Sequence, residues 1–177
     1  MHSRMELVLE KNMDDAIITL SAAFKKSGKN KKPVILHSIR VGLSLYNHGY
    51  DSDIVLSGIL HDILEDTEYS VKELIDKYGE VIANIVEATS FNNKIGNKTE
   101  RNRDMFNRCK LNGKKALLVK CADLIDNMPF IAMVDINDIV LRRELEQKYK
   151  DFIQYADEIK DELIFQNYKE MFCRYFP

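Results

Sequence analysis

The sequence predicts an all-α fold, and three observations carry that prediction. Apolar residues recur at spacings of three and four through most of the 177 residues, which is the period of an amphipathic helix and not of a strand. Only seven Gly and three Pro interrupt the chain, so the periodic segments can run long. Cap and stop signals fall where those segments begin and end.

Leu9, Met13, Ala16, Ile17, Leu20 and Phe24 share one face of a first helix. The lysine-rich stretch 25–32 reads as a loop, and Pro33 is placed to open the next helix at its first turn. That helix is expected to run to about His48, with Gly49 as its stop. Asp51 or Ser52 caps a third helix through Ile54, Val55, Leu56, Ile59, Leu60, Ile63 and Leu64. Its first turns are apolar on nearly every side, so it is expected to be buried. Ser70 with Glu73 forms a capping-box pattern for a short helix that stops near Gly79. Another helix spans about Glu80 to Thr89, and Phe91 to Lys98, with three Asn and a Gly, is the most loop-like segment. A charged helix from about Thr99 to Lys110 stops at Asn112-Gly113. The next, from Lys114 to about Met128, carries Leu117, Leu118, Cys121, Leu124 and Ile125, and Pro129 sits near its end. Two amphipathic helices are expected from about Asn137 to Phe176. No repeat or linker divides the chain, so residues 1–177 read as a single domain, with a motif-bearing core over about 15–133 and C-terminal helices over 137–176.

Composition narrows the function classes. Hydrophobic residues at 45% and charged residues at 31% match an ordinary globular protein and not a disordered one. A net charge of −2 gives no general attraction to nucleic acid or an anionic membrane, so neither is an expected partner, and phosphate binding needs a local basic cluster. No apolar run reaches the length of a membrane span, and the first residues lack the apolar core of a signal peptide. The expectation is a cytoplasmic protein. Cys109, Cys121 and Cys173 are scattered without a CxxC pair, which reads as free thiols in a reducing compartment.

The chemistry is concentrated in Leu60-His61-Asp62-Ile63-Leu64-Glu65-Asp66-Thr67. At 100° per residue, His61, Asp62, Glu65 and Asp66 fall within an arc of roughly 140°, so an imidazole and three carboxylates project together from the last turn of a buried helix. Those carboxylates repel one another and sit at the negative end of the helix dipole. A divalent cation would reverse the sign of both effects; a solvated acidic helix end paired with lysines is the alternative. His37, behind Pro33, reads alone as a core or cap residue or as a ligand. Asp123 lies in an apolar helical run with Lys120 and Asn127 at spacings of three and four. It is either a buried ion pair with Lys120 or a ligand. Together, His37, His61, Asp62 and Asp123 form a mixed nitrogen and oxygen set that suits Mn, Fe, Co or Zn better than the all-oxygen preferences of Mg and Ca.

The order His37, His61-Asp62, Asp123 resembles the metal signature of the HD superfamily. Ser57 to Thr67 is similar to the LLHDxxEDT segment of the RelA/SpoT-type hydrolase domain, and Val71 to Thr89 is similar to the stretch that follows it there. Lys120 to Met128 resembles that family's KLADRLHNM segment. Lys26-Ser27-Gly28 with Pro33 to His37 resembles KSGxPYIxH, with three extra residues between the parts. Leu124 and Pro129 stand where the family has basic residues, and its AHxGQxR motif is not recognisable.

The resemblance implies a helical HD fold with a central metal site, in which His37, His61, Asp62 and Asp123 bind a divalent ion, usually Mn in this family. It implies Glu65 and Asp66 as the catalytic pair acting on the attacking water, and Lys120 and Asn127 beside the nucleotide. The implied reaction removes the 3′-pyrophosphate of (p)ppGpp to give GDP or GTP. Lys29, Lys31 and Lys32 lie in the basic loop before His37 and are candidates for phosphate contacts; Arg101, Arg103 and Arg108 are either a solvated helix face or a second source of such contacts. Two other readings stay open: an HD phosphohydrolase acting on a deoxynucleotide or a nicotinamide nucleotide phosphate, and a non-catalytic ligand-binding module. A homo-oligomer is compatible with the Met and Phe residues of the last helix.

Overall fold

Every helix leaves backbone N–H groups unpaired at its start and carbonyls at its end, and side chains or special backbone geometry must satisfy them. In the computed structural model, which describes residues 4–28, 33–135 and 137–176, most of these devices lie where the sequence marks them. The helices are α1 (Arg4–Ser27), α2 (Val34–Asn47), α3 (Ser52–Leu60), α4 (Ile63–Asp66), α5 (Val71–Tyr78), α6 (Glu80–Thr89), α7 (Lys98–Asn112), α8 (Lys114–Asn127), α9 (Ile139–Ile153) and α10 (Leu163–Tyr175). Short 3-10 turns cover Met128–Met133 and Asp157–Ile159, and the described residues contain no strand. Asp51 accepts from the Ile54 N–H at 3.1 Å and opens α3. Ser70 and Glu73 form the full reciprocal capping box of α5. Gly49, Gly79 and Gly113 take φ values of +76°, +85° and +95°, the left-handed backbone that ends a helix without a Cβ penalty.

One expectation needs correction. The third helix does not run through to Leu64; α3 stops at Leu60, and α4 begins afresh at Ile63. The reason is local. His61 Nδ1 donates to the Gly58 carbonyl at 2.8 Å, an oxygen that in an unbroken helix would accept from the N–H of Asp62. Asp62 adopts φ −93°, ψ −3°, the bridge conformation in which many active-site residues sit. His61 and Asp62 therefore project from a turn between two helices.

Helices α3 and α8 form the centre. α3 packs against α1, α2, α6 and α8, and α8 packs against α2, α3, α6, α7 and α10. Every residue of α3 from Ile54 to Leu60 is buried, as is the run Ala116 to Leu124 of α8. The last two helices close the side of this core with aromatic packing. Phe152 of α9 lies 5.3 Å from both Phe106 of α7 and Tyr168 of α10, ring centre to ring centre.

Small residues let α2 approach α3 closely. A Cβ on Gly42 would fall 2.3 Å from Ile59 Cγ1, and one on Gly58 would fall 2.5 Å from Leu45 Cδ1. That approach brings the start of α2 beside the α3–α4 turn. Gly42→Ala is expected to lower stability by about 1–3 kcal/mol through overpacking, less about 1 kcal/mol regained from helix propensity. Denaturant unfolding of the two proteins measures the difference; equal midpoints would mean that the close approach is unimportant.

Candidate metal centre

Three structural elements deliver the candidate ligands. His37 comes from the first turn of α2, His61 and Asp62 from the α3–α4 turn, and Asp123 from the buried middle of α8. The two imidazole Nε2 atoms lie 3.2 Å apart. Asp123 Oδ1 is 3.2 Å from His37 Nε2 and 3.6 Å from His61 Nε2. Asp62 completes the group, with Oδ1 3.2 Å from His61 Nε2 and Oδ2 3.8 Å from His37 Nε2. Ligand atoms about 2.0–2.1 Å from a transition-metal ion, at tetrahedral or octahedral angles, stand roughly 2.8–3.4 Å from one another. The three distances of 3.2 Å fall in that range, those of 3.6 and 3.8 Å exceed it, and His37, His61 and Asp123 form a group that could hold a metal ion. His61 and Asp123 have side chains only 1% and 7% exposed, against 20% for Asp62. The centre is dry at its floor and opens toward Asp62.

A carboxylate buried as deeply as Asp123 needs partners. Lys120, one turn earlier on α8, donates to Oδ2 at 2.7 Å, and Asn127, one turn later, donates to Oδ1 at 2.6 Å. Burial alone would raise the pKa of Asp123; the Lys120 ammonium, followed by His37 and His61, outweighs it and holds the carboxyl well below the usual range. Lys120 is itself buried, and Asp123 and Glu65 overcome the cost of that burial and keep it charged. For His37, burial disfavours the cation, yet hydrogen bonds to Asp123 and Asp126 win and push the pKa up to about 10. The carboxylates around the two imidazoles thus favour positive charge at this place.

Glu65 lies on α4, and Asp66 follows it. The Phe91 N–H donates to Glu65 Oε1 at 2.6 Å, which ties the carboxyl to the loop after α6. Burial is the main cause of a pKa pushed up to about 7; Asp62 and Asp123 add to it, while Lys120 and the Phe91 N–H oppose it. The Phe91 ring has Lys120 Nζ at 5.6 Å and the Arg101 guanidinium at 4.9 Å from its centre.

The structure thus brings together His37, His61, Asp62 and Asp123, with Glu65 and Asp66 on the adjoining short helix. Lys120 and Asn127 both hold the Asp123 carboxylate. Lys29, Lys31 and Lys32 lie outside the described residues. Of the three arginines of α7, Arg103 pairs with Asp151 and Arg108 donates to the carbonyls of Glu87, Ala88 and Ser90, leaving Arg101 on the Phe91 ring. His48 bonds the Ser44 carbonyl at 2.7 Å, and all three cysteines are free thiols. A cavity of about 730 Å³ lined by Leu64, Tyr69, Phe91 and Arg108 among others includes none of the four ligands. Two further residues adjoin the centre without standing out in the sequence. Asp126 bonds His37 Nδ1, and Arg40 bonds Asp126. Their offsets of three from Asp123 and from His37 were the available signal.

The HD domain family matches residues 16–152. A protein of Aquifex aeolicus named guanosine-3′,5′-bis(diphosphate) 3′-pyrophosphohydrolase is 31% identical over 112 residues, which cover 60% of this chain and 16% of that protein. A Xenopus tropicalis protein of the same name, with the suffix MESH1, is 29% identical over 156 residues, 82% of this chain and 84% of its own. A solved structure described as a metazoan ortholog of SpoT that hydrolyses ppGpp superposes with a TM-score of 0.72 over 92% of this chain and 94% of that one, at 19% identity. The last likeness establishes the all-α fold. Against the bacterial relatives of Aquifex, Synechocystis, Borreliella, Mycoplasma and Haemophilus, the chain spans only 14% to 20% of their length.

The buried state of Glu65 has a measurable consequence for stability. Its pKa is raised from 4.5 to about 7 in the folded chain, so its contribution is intact below the unfolded value and is lost as pH rises through about 7. Glu65→Gln cannot ionise and keeps an acceptor for the Phe91 N–H. In metal-free protein the variant should be the more stable one by up to about 3 kcal/mol near pH 8, with little advantage near pH 5. Denaturant unfolding at the two pH values reads this directly, and a pH-independent difference would mean that Glu65 ionises normally.

Proposed function

We propose that this chain, which belongs to the HD-domain family, is a metal-dependent hydrolase of the alarmone (p)ppGpp that releases the 3′-pyrophosphate and leaves GDP or GTP. The observation that carries the reading is the convergence of two Nε2 atoms and the Asp62 and Asp123 oxygens on one point, beside a carboxyl whose pKa is about 7. His37, His61, Asp62 and Asp123 would hold the divalent ion. The donor set suits Mn, the usual ion in proteins of this pattern, and accepts Fe, Co or Zn.

A divalent ion held there would lower the pKa of water and neutralise charge on the departing phosphates. The chain's own groups do the rest. Glu65, poised near neutrality by burial, is suited to take a proton from the attacking water and to return one to the leaving oxygen. Asp66, next on the same short helix, is its partner in that work. Lys120 and Asn127 keep Asp123 ionised and oriented while they line the nucleotide side of the centre. Lys29, Lys31 and Lys32, which precede His37 in the sequence, would supply positive charge for the second phosphorylated group of an alarmone. The names of the Aquifex and Xenopus relatives support the substrate assignment. No described helix is long and apolar enough to cross a membrane; the cytoplasmic location we propose rests on the three free cysteines, which suit a reducing compartment. Leu124 and Pro129, which replace basic residues of the alarmone hydrolase pattern, favour one second reading, the same reaction type on another nucleotide.

With Mn added, the protein should convert ppGpp to GDP and pyrophosphate, and the rate should rise with pH through about 7 as Glu65 ionises. Asp66→Asn should retain metal while turnover falls by roughly 10²–10⁴. Steady-state assays on ppGpp, deoxynucleoside triphosphates and nicotinamide nucleotide phosphates decide between the two readings. Turnover of another nucleotide with none of ppGpp would move the assignment to the second. Near-normal turnover by the Asp66 variant would remove it from the catalytic pair.

A further inference from the structure

Asp126 and Arg40 stand outside the ligand set, yet they are built onto the same two helices. Arg40 follows His37 by three residues on α2, and Asp126 follows Asp123 by three on α8, so both pairs meet across the α2–α8 contact. Asp126 Oδ2 receives the His37 Nδ1–H at 2.6 Å. Arg40 forks the same carboxylate, with Nε 2.7 Å from Oδ1 and Nη2 2.7 Å from Oδ2. His37 is therefore gripped at both ring nitrogens, Nδ1 on Asp126 and Nε2 against Asp123 and His61.

We infer that Asp126, clamped by Arg40, is a positioning residue that fixes the His37 ring with its proton on Nδ1 and its Nε2 turned to the cation. The inference rests on the metal-centre reading of the site. A carboxylate can only accept this hydrogen bond, so the proton must lie on Nδ1, which leaves Nε2 as the donor to a metal. The guanidinium fork cancels the charge of Asp126, so its influence passes through the hydrogen bond and not through an added field on the cation. The other imidazole is held differently: His61 Nδ1 bonds the neutral backbone carbonyl of Gly58. A carboxylate partner makes an imidazole the stronger ligand and restricts its rotation, so His37 is the more strongly donating of the two. His37 also sits nearer the open side, 12% exposed against 1% for His61, where packing alone constrains a ring less. In the KLADRLHNM pattern that Lys120 to Met128 resembles, a His occupies the place of Asp126. The clamp is thus a feature of this chain and not of the pattern.

The test reads metal affinity, by competition with a chelator, for wild type, Asp126→Asn, Arg40→Gln and the double variant. Asp126→Asn should raise the metal Kd about 10–100-fold. Arg40→Gln, at a side chain 38% exposed and so tolerant of change, should raise it less. The double variant should be no worse than Asp126→Asn alone, because both act on one ring. Thermal melting of the metal-free proteins separates a tie between helices from a positioning role: a lowered melting temperature with an unchanged Kd would overturn the inference. A further readout does not involve metal. The His37 Nδ1–H should appear in proton–nitrogen spectra as a hydrogen-bonded, exchange-protected signal in wild type and should lose protection in Asp126→Ala. If wild type bound no metal, the metal-centre reading would fail; this signal, present or absent, would still decide whether Asp126 holds the ring. Equal protection in the variant would overturn the inference.

Discussion

Asp123 sits in the middle of α8, 5% exposed, with apolar side chains on most of its flanks and a negative charge that water cannot reach. An isolated carboxylate at such a place would cost several kcal/mol, and would take up a proton sooner than remain charged. Here it stays ionised because Lys120 is buried with it and because two imidazoles and the Asn127 amide face it. Each of those partners belongs to α8 or to an element that packs on α8, so the electrostatic demand of one side chain is met only when α2, α3 and α8 are in register. A buried charge group of this kind is weak evidence for stability and better evidence for a job. The core builds the floor of the proposed cation site and leaves one side, at Asp62 and His37, more exposed.

The break between α3 and α4, local in its cause, serves the same arrangement. An unbroken helix would aim His61 and Asp62 about 100° apart around one axis. The turn at Asp62 instead lets both side chains point at Asp123 and His37, and it starts a new short helix that carries Glu65 beside them. The Phe91 N–H then reaches across from the loop after α6 to hold Glu65. An interruption at the end of a buried helix is thus what places the candidate ligand and proton-transfer groups within one turn of each other.

Much of this was legible in the sequence, for physical reasons that differ from residue to residue. Helix starts at Asp51 and Ser70 and stops at Gly49, Gly79 and Gly113 are local signals, and local signals do not depend on what the rest of the chain does. His61, Asp62 and Asp123 were visible because charge in an apolar run demands an explanation wherever the run is packed. The end of α3 at Leu60 was not visible, since a side chain returning to the Gly58 carbonyl leaves no mark in the apolar period. Asp126 and Arg40 were hidden for a different reason. Asp126 at the end of α8 and Arg40 on the half-exposed face of α2 each look like solvated surface, and only the packing of α2 against α8 turns them into a clamp. The tie between Phe91 and Glu65 is a backbone contact from a loop, to which side-chain patterns are blind.

The account stands on the claim that His37, His61, Asp62 and Asp123 form a metal centre, and elemental analysis tests it most directly. Protein purified without chelators and exchanged into metal-free buffer should retain about one transition-metal ion per chain, as expected for a mixed imidazole and carboxylate set. The Asp123→Ala protein, prepared in the same way, should retain none. Equal metal content in the two proteins, whether one ion or zero, would contradict the centre described here.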